Sequence, residues 1–133
     1  MNSMKLRIVS PDGCLFDGDA RLLTLRTTQG DVSIMANHTD YAAAIGMGQA
    51  VVVTEEGRRT AACIGGMLIV SDNKVDVIAT TFEWKEDLDA ERAEKALADA
   101  ERILSITSLD ETSKTIALAK KRRAQVRLAV ARG

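Results

Sequence analysis

An N-terminal antiparallel β-sandwich followed by a C-terminal two-helix antiparallel hairpin is the fold this sequence predicts, and three observations carry it. As far as residue 84, short β-type runs recur at the 8–12-residue spacing of sandwiches and barrels, divided by polar or glycine turns. From residue 85 onward the chain is almost free of glycine and proline and rich in alanine and charge. The charge divides as well. Thr112 to Gly133 holds seven of the chain's 18 basic residues and none of its 19 acidic ones, so the remainder carries -8 against a whole-chain -1. The expected domains are therefore 1–84, a β-sandwich, and 85–133, a helical hairpin.

The strands follow in order. Met4 to Val9 alternates apolar and polar as a half-buried strand does, and Pro11-Asp12-Gly13 supplies a turn in which proline presets φ. Cys14 to Thr28 repeats the pattern with a turn expected at Gly18, and Leu23, Leu25 and Thr27 share a face. Gln29-Gly30-Asp31 is a tight connection into Val32–Met35. Strands are expected over Ile45–Thr54, Arg58–Ile64, Met67–Val70 and Val75–Ile78, divided by Glu56-Gly57, Gly65-Gly66 and Asp72-Asn73, with Gly65 and Gly66 structural and allowing a bulge or close strand approach. No helix-period segment interrupts them, which argues against a parallel α/β sheet.

Phe82 to Asp87 marks the junction. Asp87 or Asp89 caps a first helix whose apolar stripe is Ala93, Leu97, Ala100 and Leu104. Ser105 to Ser113 turns the chain. A second helix is expected from Thr112 to Ala131, burying Ile116, Ala119, Val126 and Val130, and the pair should pack antiparallel. The stripes are largely alanine, which buries little apolar area, so the hairpin is expected to be weakly held.

Hydrophobic residues at 46% suffice for a core, but with aromatics at 3% it must rest on aliphatic side chains. Cys14 and Cys63 lack C-x-x-C spacing and are expected to be buried, reduced thiols. Neither an export signal nor an 18-residue apolar span is present, so membrane association is expected to run through a protein partner. Phosphate-loop, H-E-x-x-H and G-x-S-x-G motifs are absent, and His38 is the sole histidine. The carboxylate pairs Glu55-Glu56 and Asp110-Glu111 lie in turns. An independent active site, a metal or a bound cofactor is not indicated. The competing reading is a small nucleic-acid-binding protein using its basic second helix; the scarcity of stacking aromatics counts against it.

Three segments carry a resemblance. QGDVSIMANHTDYAAAIGMGQAVV, IGGMLIVSDNKVDVIA and LDAERAEKALADAERIL, in this order over residues 28 to about 105, resemble the epsilon subunit of the bacterial F-type ATP synthase. The resemblance implies a ten-stranded sandwich with a helical hairpin. It implies a non-catalytic rotor subunit that joins the gamma subunit to the membrane c ring, peripheral at the cytoplasmic face of the cell membrane. It also implies helices that leave the sandwich and block ATP hydrolysis. Gln29, Gly30, Asp31 and Val32 match the loop that faces the c ring. Asn37, His38 and Tyr41 match the corner near gamma. Leu88, Asp89, Arg92 and Ala93 match the motif of epsilon subunits that bind ATP as a regulatory ligand, with Glu83 and Arg122 as further contacts. Lys120, Lys121, Arg122, Arg123 and Arg127 form the basic helix that would dock on the alpha/beta catalytic subunits, and no nucleic-acid partner is implied.

Overall fold

Alternation decides the first strand. In β1 (Met4–Ser10) Met4, Leu6 and Ile8 are fully buried while Lys5 and Arg7 face water. β2 (Gly13–Ala20) lies antiparallel to β1, its register shifting between Ile8 and Val9. The computed structural model describes residues 2–133, and its β strands continue as β3 (Leu22–Thr27), β4 (Gly30–Met35), β5 (Tyr41–Ala44), β6 (Met47–Thr54), β7 (Gly57–Ser71) and β8 (Lys74–Trp84). They hydrogen-bond in the order β2-β1-β8-β7-β6-β3-β4, with β5 beside the second half of β7. All ladders but one are antiparallel; β1 runs parallel to β8.

Several expectations are corrected here. The chain does not turn at Gly18, which stays in β2 opposite Leu6. It does not break at Gly65-Gly66 either. The β7–β8 register passes unbroken from Ile64–Thr81 to Gly66–Ala79, and both glycines take positive φ (+73° and +119°). A Cβ on Gly66 would stand 2.0 Å from the carbonyl oxygen of Ile78, so glycine serves a close strand approach rather than a turn. Two long strands therefore take the place of three expected ones, and the described residues form eight strands where the resemblance implied ten. β5 has no counterpart in the sequence reading.

The core comes from the inner faces of these strands, with Leu23, Leu25, Ile34, Val52, Leu68, Val75 and Val77 nearly inaccessible. It closes on Phe82 and Trp84, whose rings meet edge to face at 4.9 Å. The Arg59 guanidinium lies 3.7 Å over the Trp84 ring. Cys63 is buried, and burial pushes its thiol up to about 12. Because the folded value exceeds the unfolded one, this group's contribution to stability is complete below about pH 9 and fades as pH rises toward 12. Cys14, expected inside, is exposed, because it sits on the edge strand β2 beside the register shift.

The chain divides into two compact units between Lys85 and Glu86. The second holds α1 (Ala90–Leu104) and α2 (Glu111–Arg132). Asp89 caps α1 through the amide of Arg92, and Asp110 caps α2 through that of Ser113. Hydrogen bonds from Ser113, side chain then backbone, hold the Asp110 carboxyl below its usual value, so this cap is lost as pH falls through the carboxylate range. Glu94 near the start of α1 pairs with Arg132 at the end of α2, so the helices run antiparallel. In α1 Ala93 and Ala100 are buried and Leu97 and Leu104 half-buried. The buried line of α2 differs from the expected one. Of the expected residues Val130 is inside, Ala119 and Val126 are half-buried and Ile116 is 52% exposed; Ala117, Ala124 and Leu128 are buried as well. Small residues let two helices approach closely, and that outweighs the apolar size of Ile116.

Candidate functional site

Three groups of residues bear on function, and local folding places each. The first is the tip between β3 and β4. Gly30 takes φ +118°, which lets the chain reverse in two residues. Thr27, the one polar side chain in the described core, holds the tip: its hydroxyl donates to the Gly30 carbonyl at 2.7 Å and accepts from the Gln29 amide at 3.1 Å. Gln29 and Asp31 are exposed, and Val32 is half-buried against the core. The Asp31 carboxylate is paired within the hairpin. Arg26, directly across the ladder, donates Nε to it at 2.7 Å and a second nitrogen at 3.4 Å. Gly48 makes room for this arginine, since a Cβ there would meet the Arg26 Cβ at 2.7 Å. Arg26 and Gly48 were missed by sequence reasoning. The register Thr27–Gly30, once drawn, pairs Arg26 with Asp31 and would have found the first.

The second group is the corner after β4. Asn37 adopts φ 63°, a left-handed conformation that asparagine tolerates. Its amide donates to the Asn73 side chain at 2.8 Å, and Asn73 in turn donates to the Ser3 carbonyl at 3.0 Å. The Asp72 amide donates to Asp40 at 3.3 Å. The corner is thus stitched to the β7–β8 turn by Asn73, a third residue that sequence reasoning missed, having passed over it as a plain turn. His38 Nδ1 lies 2.7 Å from the Thr39 carbonyl, which only accepts, so Nδ1 carries the proton. Tyr41 meets the His38 ring edge-on at 5.9 Å. Tip and corner sit at opposite ends of β4, roughly 17 Å apart along five strand steps.

Between these ends the outer sheet face is apolar. Met67 pairs with Ala44 on one side and Ile78 on the other, and Ile78 pairs with Val9. Met67 and Ile78 are 42% and 49% exposed, and Ile69 is exposed one row away. An outward row of large aliphatic side chains crossing four strands has the composition of a docking face.

The third group lies in the hairpin. Leu88, Asp89, Arg92 and Ala93 gather at the start of α1, where the Asp89 carboxylate is engaged as the cap and Ala93 is buried. Ala96, Asp99 and Ile103 line one cleft with Lys120, Arg123 and Arg127, which sets the level of one helix against the other. Arg122 accordingly stands near the level of Arg102, ten residues or about 15 Å along the axis from Arg92 at 1.5 Å per residue. Glu83 belongs to the other unit, in β8 opposite Ala62. The basic stretch is also split: Lys120, Arg123 and Arg127 line the cleft, Arg122 is exposed, and Lys121 is half-buried. Among the described residues no group of three His, Cys, Asp or Glu is placed to hold a metal, and no helix is long and apolar enough to cross a membrane.

The β unit defines the class: a β-sandwich domain of the ATP synthase delta/epsilon type. Residues 3–85 match the family model of the ATP synthase delta/epsilon chain β-sandwich domain. The whole fold superposes on a chain of the Euglena gracilis mitochondrial ATP synthase with a TM-score of 0.86 at 22% identity, covering 100% of this chain and 83% of that one. A chain from the central stalk and c ring of the Tetrahymena thermophila enzyme gives 0.70 at 16% identity over 96% of both. Closer in sequence, the chain is 36% identical to the ATP synthase epsilon chain of Ruminococcus albus over 116 residues, 86% of this chain and 84% of that one. It is 30% identical to that of Shouchella clausii over 132 residues, 99% and 97% of the two. The chain belongs to the ATP synthase epsilon-chain family.

Proposed function

We propose that this chain is the central-stalk rotor subunit that couples the gamma subunit to the c ring, and that its hairpin restrains ATP hydrolysis and responds to ATP. The observation that carries the reading is the family match over the whole β unit, joined to a second, separately compact helical unit. Catalysis then belongs to the alpha and beta subunits, and the complex holds the chain at the cytoplasmic membrane face. Support for docking comes from the apolar row of Met67 and Ile78 between two polar ends. The buttressed corner of Asn37, His38 and Tyr41 suits gamma, while the rigid tip of Gln29 to Val32 suits polar loops of the ring. Arg26 neutralises Asp31, so recognition there rests on shape and on Gln29 more than on a bare carboxylate.

Nucleotide sensing rests on Arg92 and Arg122 as separated cations along the hairpin, with adenine or ribose near Leu88 and Asp89. A ligand that binds only the folded hairpin stabilises it by about 2.7 kcal/mol at a hundredfold excess over Kd, enough to bias an alanine-packed pair of helices. ATP titration of the full chain, followed by helical circular dichroism on heating, tests this. The expected result is a rise in the helical melting temperature that Arg92→Ala abolishes. No shift in the wild type would remove ATP from the account.

A further inference from the structure

The tip between β3 and β4 carries an arginine held along its whole length. The Arg26 stem lies over Gly46 and Gly48 at the start of β6. A Cβ on Gly48 would stand 2.7 Å from the Arg26 Cβ and 3.1 Å from its Cγ, and one on Gly46 would stand 3.4 Å from the same Cγ. Neither glycine takes positive φ, so their use is room for the neighbouring strand, not backbone freedom. Beyond the stem, Nε and Nη2 donate to the two Asp31 oxygens at 2.7 and 3.4 Å. The ladder is stitched on both sides of this pair, by the Thr27 hydroxyl on Gly30 and by the Thr24 and Ser33 hydroxyls at 3.1 Å. A guanidinium has two edges that present parallel donors, and Asp31 occupies only the Nε–Nη2 edge. Among the described residues the Nη1–Nη2 edge has no partner, and the side chain is 52% exposed.

We propose, resting on the reading of the tip as the ring-facing loop, that this open edge of Arg26 recognises a carboxylate, the side chain of an aspartate or glutamate on a polar loop of the c ring. A planar carboxylate offers two charged acceptors at the spacing of that edge, whereas a carboxamide offers one and a basic side chain none. Asp31 is then a positioning residue. It fixes the guanidinium plane while Gly46 and Gly48 leave the stem its bed, so little rotamer freedom remains to be lost when the partner arrives. Arg26 thereby adds a charged reader to the shape of the tip and to Gln29.

Titration of the full chain, in complex with gamma, onto immobilised c ring tests the assignment, with gamma alone as the control and Trp84 fluorescence verifying that each variant is folded. Arg26→Gln should weaken binding about tenfold or more, since charge-assisted hydrogen bonds are lost. Arg26→Lys should recover only part of this, because an ammonium has no fork. Asp31→Asn should tighten binding: its Oδ1 still accepts from Nε, and the like charge beside the partner's carboxylate is gone. A ring whose loop aspartates and glutamates are changed to asparagine and glutamine should bind wild type and Arg26→Gln alike. Equal affinity of those two chains for the unaltered ring would overturn the assignment. So would weaker binding by Asp31→Asn, which would put Asp31 itself on a partner cation. In both cases the ring-facing reading survives, because the wild type still binds. No gain by the wild-type complex over gamma alone would remove that reading together with the assignment.

Discussion

Gly66→Ala is expected to cost the β unit roughly 3 kcal/mol or more, among the largest effects a single methyl produces. Two penalties combine. The backbone holds φ +119°, which an L-residue rarely adopts, and the new Cβ would lie 2.0 Å from the Ile78 carbonyl oxygen and 2.8 Å from the Ala79 Cα. Neither neighbour can yield, because both belong to the β8 backbone that spans the core. Gly30→Ala separates the two penalties. Gly30 shares the conformation at φ +118°, but a Cβ there meets nothing within 4 Å. Its cost should be the backbone term alone, about 1–3 kcal/mol. Urea unfolding followed by fluorescence gives both values, since Trp84 is the only tryptophan and is buried in the β unit. Equal midpoints for the two variants would show that β7 and β8 do not approach so closely.

Removing residues 86–133 is expected to leave the β unit folded and to raise ATP hydrolysis by the complete motor about tenfold, a change of ~1.4 kcal/mol in the barrier. The first part follows from the core, whose buried cluster ends at Trp84 and includes no residue of the helices. The second follows from the proposed brake, in which the split basic face of α2 docks on acidic catalytic surface. Adding either the full chain or the truncated one to an epsilon-free catalytic complex measures it. Equal inhibition by both chains would take the brake away from the hairpin and leave only coupling.

Much of this fold was legible in the residues. Alternation in Met4 to Val9 and the turns at Asp12-Gly13, Gln29-Gly30, Glu56-Gly57 and Asp72-Asn73 located the strands, and Asp89 located the start of α1. Three things were not. Gly18 read as a turn, and Gly65-Gly66, although rightly expected to allow a close strand approach, also read as a division, because glycine marks turns and close approaches alike and only strand pairing tells them apart. Tyr41–Ala44 has no apolar–polar alternation, so β5 left no trace in the pattern. The buried face of α2 was rotated because Ile116 outweighs Ala117 in any hydrophobicity count, whereas helix packing prefers the smaller. The candidate sites show the same division. Their positions along the chain were readable, but the Arg26 grip on Asp31 and the Asn73 bridge to Asn37 depend on register and on contacts 36 residues apart.

As the proposed rotor subunit, the chain must bind the shaft through its β unit. Surface-immobilised gamma subunit, challenged with the full chain and with a Met67→Glu/Ile78→Glu variant whose folding is verified by Trp84 fluorescence, measures that directly. Saturable binding by the wild type, weakened at least tenfold by charges on the apolar row, is the predicted result. A folded wild-type chain that fails to bind gamma at micromolar concentration would contradict it.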